Sequence, residues 1–427
     1  MLDRNRKVLL LSPTKRAGRA LAALSERVGC TVIEEQRSRG GFLSNPSFGS
    51  ELDIVALIES LVDEYASVKL SGIICTVAFP GMNVAAACIA ERLGLPGPTP
   101  LAILTCEHKY YCRLAQQKVV PEATPQFQLL NSEILAGFTD FKYPQFVKPV
   151  KSILSSGAFA VNSDAELKKA ISRDCLPANF LKPFNDLIAK FSNFEYDADY
   201  FIVEDLLEGR QVSLEGFVYQ GKVTIMGIVD SMMFPGTISF KRFQYPSSLS
   251  ETVQERMRDI ATRFISGIKY DNWAFNVEMI YNPDADSIYI IEVNARLASQ
   301  FWDLFQKVDG SNPYEMILKI AMGERPEFHR RRGEFKVAGS CVLRTFEDQL
   351  VVRVPNLNDL NCVGARFPDA NIEILAKEGK FLSQQIQDAE SFRYGLVNIG
   401  ADSFDQLEQK FEECRSMLPF EFCTRGY

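Results

Sequence analysis

The most chemically suggestive part of the sequence places acidic and amide side chains on two neighbouring apolar segments. Glu292 and Asn294 are two residues apart in a segment that ends near Arg296, so a strand there presents both side chains on one face. Glu278 lies in the preceding apolar segment, and the turn-forming residues 282–286 predict a hairpin that brings it beside Glu292. Mg²⁺ takes carboxylate and amide oxygens together with substrate phosphates, so the hairpin predicts a metal–nucleotide site. An ordinary hairpin with one polar face is the alternative.

A second candidate site combines a lysine with a loop of small polar residues. Lys148 ends an apolar segment typical of a strand, and Ser152, Ser155, Ser156 and Gly157 follow it. Loop amides and an ammonium group both bind anions, so this stretch predicts a phosphate site. An ordinary surface loop is the alternative.

A third candidate is an apolar strand that runs into acidic residues. Glu204 and Asp205 end the segment that begins at Phe201, and Leu207 precedes a glycine turn. Backbone and carboxylate acceptors at such a strand end suit the amino group of adenine. A plain strand end with solvated acids is the alternative.

Composition excludes several other kinds of chemistry. The 427 residues include only two histidines, which argues against a histidine-based zinc site or a Ser-His-Asp triad. The net charge of −7, with acidic residues spread along the chain, argues against a nucleic-acid partner. No run approaches the roughly 20 apolar residues of a membrane span, and no signal peptide is evident, so we expect a cytoplasmic protein without a membrane partner. The ten cysteines include no CxxC pair and are expected to be reduced and buried.

Hydrophobic periodicity predicts how these candidates are positioned. Strands are predicted at residues 7–11, 30–34, 72–77, 146–150, 200–204, 211–219, 222–230, 274–281, 287–293, 337–343 and 371–375. Helices are predicted at residues 14–28, 52–65, 83–93, 164–171, 251–265, 313–322 and 403–417. The early alternation of strands and helices favours a parallel α/β sheet, whereas the later clustering of strands favours mainly antiparallel α+β structure.

In their order and spacing, these features resemble the ATP-grasp superfamily, and more closely its carboxylate–amine ligases such as the L-amino acid ligases. Biotin carboxylase is a more distant relative. The Glu292-x-Asn294-x-Arg296 match is the most specific, while Lys148 with its Ser/Gly loop is a weaker one. The resemblance covers nearly the whole chain and adds Lys109, which stands where the family has its first nucleotide-binding lysine.

The resemblance implies a fold, an activity and partners. It implies an α/β N-terminal domain at residues 1–104, an α+β ATP-grasp domain at 105–330 and a small C-terminal α+β lobe at 331–427 that completes the ATP-grasp core. The implied activity is an ATP- and Mg²⁺-dependent ligase that activates an amino acid or another small acid as an acyl phosphate. It then joins this acid to an amine and releases ADP and phosphate. Mn²⁺ is the expected substitute metal, the acid and the amine are the partners, and the relatives allow a homodimer.

The resemblance also assigns roles to individual residues. The residues expected to bind ATP are Lys109, Lys148, Ser155, Ser156, Gly157, Glu204, Asp205, Leu207 and Gln211. The expected magnesium ligands are Glu278, Glu292 and Asn294. The expected catalytic residues are Arg296, beside the transferred phosphate, and Lys148. The candidates for substrate binding are Arg242, Ser299 and Arg344. For the two arginines the alternative is an ordinary surface position, which for Arg344 is a pair with Glu347 or Asp348.

Some positions depart from the family pattern. Ser152 and Leu154 stand where the phosphate loop usually has glycines, and Gln211 stands where an acidic residue commonly binds ribose. None of these departures removes a metal ligand or a lysine, so we expect an active enzyme. A carboxylase, a carboxylate–thiol ligase and a nucleotide-binding protein without ligase activity are the other functions considered.

Overall fold

A computed structural model of the chain describes residues 6–38, 52–77, 79–131, 142–153, 156–172, 176, 180–385 and 391–424. The fold is mixed α/β, and every strand and helix predicted above is present within three residues at each end. The chain forms two compact units. The first consists of Met1–Met226, Leu249–Ser299 and Tyr314–Glu327, and the second of Gly227–Ser248, Gln300–Pro313 and Phe328–Tyr427. The division into three domains at residues 104 and 330 stays a prediction.

The first unit begins with a three-stranded parallel sheet. Its strands are β1 (Arg6–Leu11), β2 (Cys30–Glu34) and β3 (Gly72–Cys75), in the order β2-β1-β3. Helices α1 (Lys15–Val28), α2 (Ile54–Ala66) and α3 (Met82–Arg92) alternate with them. Helix α1 starts where the Thr14 side chain accepts a hydrogen bond from the Ala17 amide, and it ends at Gly29 in the left-handed region. The predicted parallel α/β arrangement is therefore confirmed.

A four-stranded antiparallel sheet follows in the same unit. Its strands are β4 (Phe127–Leu130), β5 (Gln145–Pro149), β6 (Phe159–Val161) and β7 (Phe201–Asp205), in the order β4-β7-β5-β6. The helices of this region are α4 (Pro100–Glu107), α5 (Lys109–Val119), α6 (Asp164–Ile171) and α7 (Lys182–Phe191). This sheet places the ends of β5 and β7, which carry Lys148 and Glu204, on adjacent strands.

The first unit also contains the predicted hairpin. Strands β8 (Arg210–Tyr219), β11 (Trp273–Asn282) and β12 (Ser287–Asn294) pair in the order β12-β11-β8, and helix α8 (Glu251–Gly267) precedes β11. Asn282 pairs with Ser287 at the tip, so the turn lies where the sequence predicts it.

The second unit has its own antiparallel strands and core. Strand β9 (Lys222–Met233) enters it at Gly227 and is followed by β10 (Phe240–Tyr245), β13 (Val337–Thr345), β15 (Asn371–Ile374) and β16 (Phe392–Ala401), in the order β9-β10-β13-β16-β15. Strands β14 (Gln349–Arg353) and β17 (Glu421–Thr424) form a separate pair. Helices α9 (Trp302–Asp309), α11 (Leu357–Arg366) and α12 (Phe404–Ser416) belong to this unit, and α10 (Pro313–Ala321) starts at its boundary. Leu343, Val397, Leu407 and Phe411 are among its core residues.

Two expectations about composition can also be compared with the structure. The cysteines among the described residues are free thiols, but Cys362 and Cys423 are exposed rather than buried. Within the described residues, no helix is both long enough and apolar enough to cross a membrane.

Candidate functional site

Two rows of polar side chains cross strands β8, β11 and β12 of the first unit. In one row the register pairs Glu278 with Glu292 of β12 and with Ser213 of β8. In the next row Asn276 pairs with Asn294 and with Glu215. Because residues two apart on a strand share a face, both rows lie on the same face of the sheet. The predicted pairing of Glu278 and Glu292 across the hairpin is therefore confirmed.

Two buried lysines contact carboxylates beside these rows. Lys109 is the first residue of α5, and its Nζ lies 3.3 Å from Glu292 Oε1. Lys148 lies near the end of β5, where its Nζ is 2.8 Å from Glu204 Oε2 and donates to the Ile291 carbonyl oxygen at 3.3 Å. The fold therefore brings together residues from four separate segments of the sequence.

Glu204 is the centre of a buried ion-pair network that sequence reasoning missed. Arg113 donates from Nε to Glu204 Oε1 at 2.6 Å and from Nη2 to Oε2 at 3.1 Å, and it also bonds the Ile291 carbonyl at 2.8 Å. Burial opposes the charge on Glu204, but the cations of Arg113 and Lys148 outweigh it and lower the pKa of Glu204 to about 2. The Glu204 side chain therefore positions two cations, and its predicted contact with adenine stays a prediction.

The two glutamates of the hairpin have different electrostatic environments. Burial is the main cause that raises the pKa of Glu278 to about 7, and the neighbouring Glu292 raises it further. Burial also opposes the charge on Glu292, but Lys109 and Lys148 lower its pKa below the ordinary value. Among the described residues, the side-chain donors to Glu278 are amides, namely Gln211 Nε2 at 3.1 Å and Asn294 Nδ2 at 3.5 Å. Glu278 is thus a half-buried carboxylate whose charge a bound cation would stabilise.

The donor set fits a magnesium ion that arrives with a nucleotide. No group of three or more His, Cys, Asp or Glu side chains suited to a metal occurs in the described part of the chain. Glu278, Glu292 and Asn294 supply two carboxylates and one amide, and Mg²⁺ commonly completes its shell with substrate phosphates and water. These three residues would hold the ion, as the sequence predicts.

A third lysine near the site was not identified from the sequence. Lys151 Nζ lies 2.8 Å from Glu107 Oε2, and Asn83 Nδ2 donates to Glu107 Oε1 at 2.9 Å. Lys151 also contributes to the lowered pKa of Glu292. The site therefore contains three buried lysines, at positions 109, 148 and 151.

Arg296 lies directly after β12 and is partly buried. Its Nη2 donates to Asn294 Oδ1 at 3.4 Å, and its Nη1 donates to the Leu297 carbonyl at 3.1 Å. Ser299 lies three residues further on, where its Oγ accepts a hydrogen bond from Arg16 Nη1 at 3.0 Å. Arg296 thus lies next to one of the predicted metal ligands.

The remaining predicted nucleotide residues lie at strand ends and turns of the first unit. Asp205 Oδ2 accepts from the Gln126 amide at 3.0 Å, and Leu207 is partly buried. Ser156 donates its amide to the Ile153 carbonyl at 2.9 Å, and Gly157 has a φ of 75° in the adjoining turn. Ser155 and Leu154 lie outside the described residues.

Two of the predicted substrate residues belong to the second unit. Arg242 forms an ion pair with Glu408 and donates from Nη2 to Gln244 Oε1 at 2.9 Å. Arg344 donates from Nε to the Phe240 carbonyl at 3.2 Å and from Nη1 to the Ser391 hydroxyl. Both arginines have partners within their own unit, and their role toward a substrate stays a prediction.

His108, which immediately precedes Lys109, is expected to make the folded state less stable at acidic pH. It is fully buried, and burial lowers its pKa from 6.5 to about 4. Between pH 6.5 and pH 4 the unfolded chain therefore binds more protons than the folded chain. The free energy of unfolding falls by about 3 kcal/mol over that range. His108→Asn retains a side chain able to cap α5 and removes this titration. Urea unfolding at pH 7 and pH 5 should show a shallower pH dependence in the variant, whereas equal slopes would contradict the assignment.

Comparison with known proteins supports the same interpretation. Residues 141–302 match a family model described as the ATP-grasp domain. The solved L-amino acid ligase from Bacillus licheniformis is 18% identical, and the match covers 99% of this chain and 100% of that one with a TM-score of 0.73. For the phosphoribosylglycinamide synthetase from Anaerococcus prevotii, the identity is 17%, the coverage 98% and 100%, and the TM-score 0.67. The biotin carboxylase domain of the Hydrogenobacter thermophilus 2-oxoglutarate carboxylase is 15% identical, and the match covers 98% of this chain and 91% of that one with a TM-score of 0.66.

Curated relatives are much longer proteins. The urea amidolyase from Lachancea kluyveri is 25% identical over 283 residues, which are 65% of this chain and 14% of that protein. The Saccharomyces cerevisiae urea amidolyase is 23% identical over 77% of this chain and 17% of its own length. This chain therefore spans less than a fifth of the curated relatives that it matches. Residues 141–302 are therefore similar to the ATP-grasp domain, and nearly the whole chain shares the fold of these solved structures.

Proposed function

We propose that the protein is an ATP- and Mg²⁺-dependent carboxylate–amine ligase whose acid substrate is an amino acid or another small acid. One arrangement carries the proposal: Glu278, Glu292 and Asn294 lie on one sheet face, with Lys109 against Glu292 and Arg296 against Asn294. This arrangement combines oxygen ligands for a nucleotide-bound cation with cations for the phosphates. Such a set suits phosphoryl transfer, where positioning and charge neutralisation supply most of the catalysis.

The reaction consists of two transfers. A carboxylate oxygen of the acid attacks the γ-phosphorus of ATP, the bond to ADP breaks, and an acyl phosphate forms. The amine then attacks the acyl carbon, phosphate leaves, and the nitrogen loses a proton as the amide forms. Bound Mg²⁺ would neutralise charge on the phosphates. Lys109 and Lys148 would hold the phosphate oxygens, and Arg296 would stabilise charge on the transferred group and the tetrahedral intermediate.

The Glu204 network suits this reaction because it fixes Lys148 before substrates bind. Lys148 is buried, and burial lowers its pKa while Glu204 raises it. A lysine that is already oriented loses little further side-chain freedom when it meets a phosphate. The fold shared with a protein named as an L-amino acid ligase supports an amino acid as the acid substrate.

A carboxylase that uses bicarbonate as its acid is the second candidate function. Structures named as biotin carboxylases share this fold over 98% of the chain. Cytoplasmic location and a homodimer stay predictions in either case.

The direct test is a matrix of acids and amines with ATP, in the presence and absence of Mg²⁺. The acids should include the amino acids and bicarbonate, and the acceptors should include amines and a thiol such as coenzyme A. The proposal expects Mg²⁺-dependent phosphate release only for particular acid–amine pairs. Turnover with bicarbonate alone would favour the carboxylase, a thiol requirement would favour a thiol ligase, and ATP binding without turnover would favour a non-catalytic protein.

Replacing Arg296 by alanine should lower kcat about 100- to 1,000-fold, because it removes a charged donor aimed at the reacting groups. The KM for ATP should change little. Arg263→Ala is the matched control, since Arg263 is 40% exposed on α8 and pairs with Asp259 and Glu122. Steady-state kinetics with the acid–amine pair found in the matrix measures both variants. An equal loss of kcat in the two variants would show that Arg296 has no specific role in the reaction.

A further inference from the structure

A buried glutamate that the reaction does not use lies in the same row as Asn294 and one row away from Glu278 and Glu292. Glu215 is 1% exposed, and its Oε1 accepts a hydrogen bond from Asn276 Nδ2 at 2.6 Å. Its two carboxylate oxygens also lie 3.3 and 3.2 Å from the backbone nitrogen of Ala298, which donates to them. Glu215 therefore connects β8 both to β11 and to the segment that follows β12.

The hydrogen bonds fix the orientation of two asparagine amides. Glu215 accepts hydrogen bonds from Asn276 and Ala298, and the amide nitrogen of Asn276 faces it. The Asn276 oxygen then faces β12, where it accepts from Asn294 Nδ2 at 3.2 Å. The nitrogen of Asn294 is directed at Asn276 and Glu278, which leaves its oxygen for Arg296 and for a metal ion.

Burying a carboxyl group costs free energy, so a contribution to stability does not explain why Glu215 is buried here. Burial raises the pKa of Glu215 to about 8, although the Ala298 amide and Asn276 lower it. A buried acid of this kind favours the folded state less than an amide of the same size does. Strongly perturbed carboxyl groups that lie beside a reactive constellation commonly serve its chemistry.

We propose that Glu215 is a positioning residue of the active site. Through Asn276 it orients the amide oxygen of Asn294 toward the metal, and through the Ala298 amide it holds the segment that carries Arg296. The inference rests on the proposed ligase function for its kinetic consequence. Its structural consequence, the placement of residues 294–298, is independent of that function.

Glu215→Gln is the sharpest variant because it preserves size and removes one acceptor. The new amide nitrogen faces a donor in either orientation, so the variant loses the bond from Asn276 Nδ2 or one of the two bonds from the Ala298 amide. We expect kcat to fall about 10- to 100-fold, as for residues that orient metal ligands. The Mg²⁺ concentration for half-maximal activity should rise, while stability toward urea stays close to that of the wild type. Asn276→Ala breaks the same connection at another residue and should reproduce these changes.

A double-mutant cycle separates positioning from general damage. Because Glu215 acts partly through Arg296, Glu215→Gln should lower kcat by a smaller factor in the Arg296→Ala background than in the wild type. Asp230→Asn is the matched control, because Asp230 is a 2% exposed carboxylate of the second unit that accepts bonds from Ser247 and Ser248. It should leave kcat and the Mg²⁺ dependence unchanged. Effects of Glu215→Gln and Arg296→Ala that multiply fully would overturn the proposal.

A fluorescence measurement tests the placement without turnover. The Trp273 indole donates to the Ala295 carbonyl at 3.0 Å, so its emission reports on the segment after β12. Only one other tryptophan, Trp302, is present, and Trp302→Phe leaves Trp273 as the sole reporter. Glu215→Gln and Asn276→Ala should each shift the Trp273 emission and weaken binding of MgATP. Unchanged emission and unchanged MgATP affinity in both variants would overturn the proposal, whether or not the ligase reaction itself is found.

Discussion

Replacing Glu292 by glutamine is expected to lower Mg²⁺-dependent ATP turnover about 1,000-fold. Glu292 is one of the two glutamates of the hairpin, and Lys109 and Lys148 keep its pKa low, so it is charged at neutral pH. Glutamine preserves its size but removes the charge that a divalent ion requires. Charge stabilisation by a bound metal is worth several kcal/mol, and about 4 kcal/mol corresponds to a factor of 1,000 in rate.

The control for this variant is Asp284→Asn. Asp284 lies in the turn of the same hairpin and is exposed. Its replacement by asparagine therefore removes one negative charge from the hairpin at a position away from the site. ATP turnover should be assayed across a Mg²⁺ titration for both variants. The Glu292 variant should remain folded by circular dichroism. Turnover close to the wild-type rate would exclude Glu292 as a metal ligand.

The second large effect concerns stability, where Glu204→Gln should lower the free energy of unfolding by about 3–5 kcal/mol. Glu204 is 3% exposed and compensates Arg113 and Lys148, which lie 2.6 and 2.8 Å from its oxygens. Loss of its charge leaves two buried cations without their counter-ion, and breaking a buried pair typically costs this much. Urea denaturation of both proteins measures the difference.

The pH dependence gives an independent check on the same residue. The pKa of Glu204 falls from 4.5 to about 2, so its contribution to stability is complete above pH 4.5 and is lost as pH falls toward 2. The glutamine variant should lack this part of the acid dependence. Glu59→Gln is the control, because Glu59 is 40% exposed in its pairs with Arg92 and Lys190. A loss of stability no larger in Glu204→Gln than in Glu59→Gln would contradict the role assigned to Glu204.

Local patterns were sufficient to predict the hairpin and its acidic residues. Glu278, Glu292 and Asn294 could be placed together because a short turn joins their strands and the strand period is two. Strands β4 and β6 were missed, since three or four residues carry too little periodic signal. The longer strands β10 and β16 were also missed, so length is not the whole reason. The pairing of Arg113 with Glu204 joins residues 91 positions apart and leaves no local pattern at all.

Glu215 shows a different limit of sequence reasoning. Gln211, Ser213 and Glu215 alternate with apolar residues along β8, and this alternation is typical of a solvent-facing strand surface. In the structure β8 has neighbours on both sides, and Ser213 and Glu215 are buried. The signal was therefore present as a polar stripe, but only the position of β8 beside β11 shows that the stripe faces the site. The roles of Arg242 and Arg344 were assigned from type and resemblance, and they stay predictions.

The measurement that tests the central claim most directly follows an oxygen atom. An acid identified in the substrate matrix is labelled with ¹⁸O in its carboxylate and incubated with ATP, Mg²⁺ and its amine partner. An acyl phosphate transfers one labelled oxygen to the phosphate that leaves, so mass spectrometry should find one ¹⁸O in each phosphate released and ADP as the other product. Phosphate without the label, or AMP and pyrophosphate in place of ADP and phosphate, would contradict the proposed ligase chemistry.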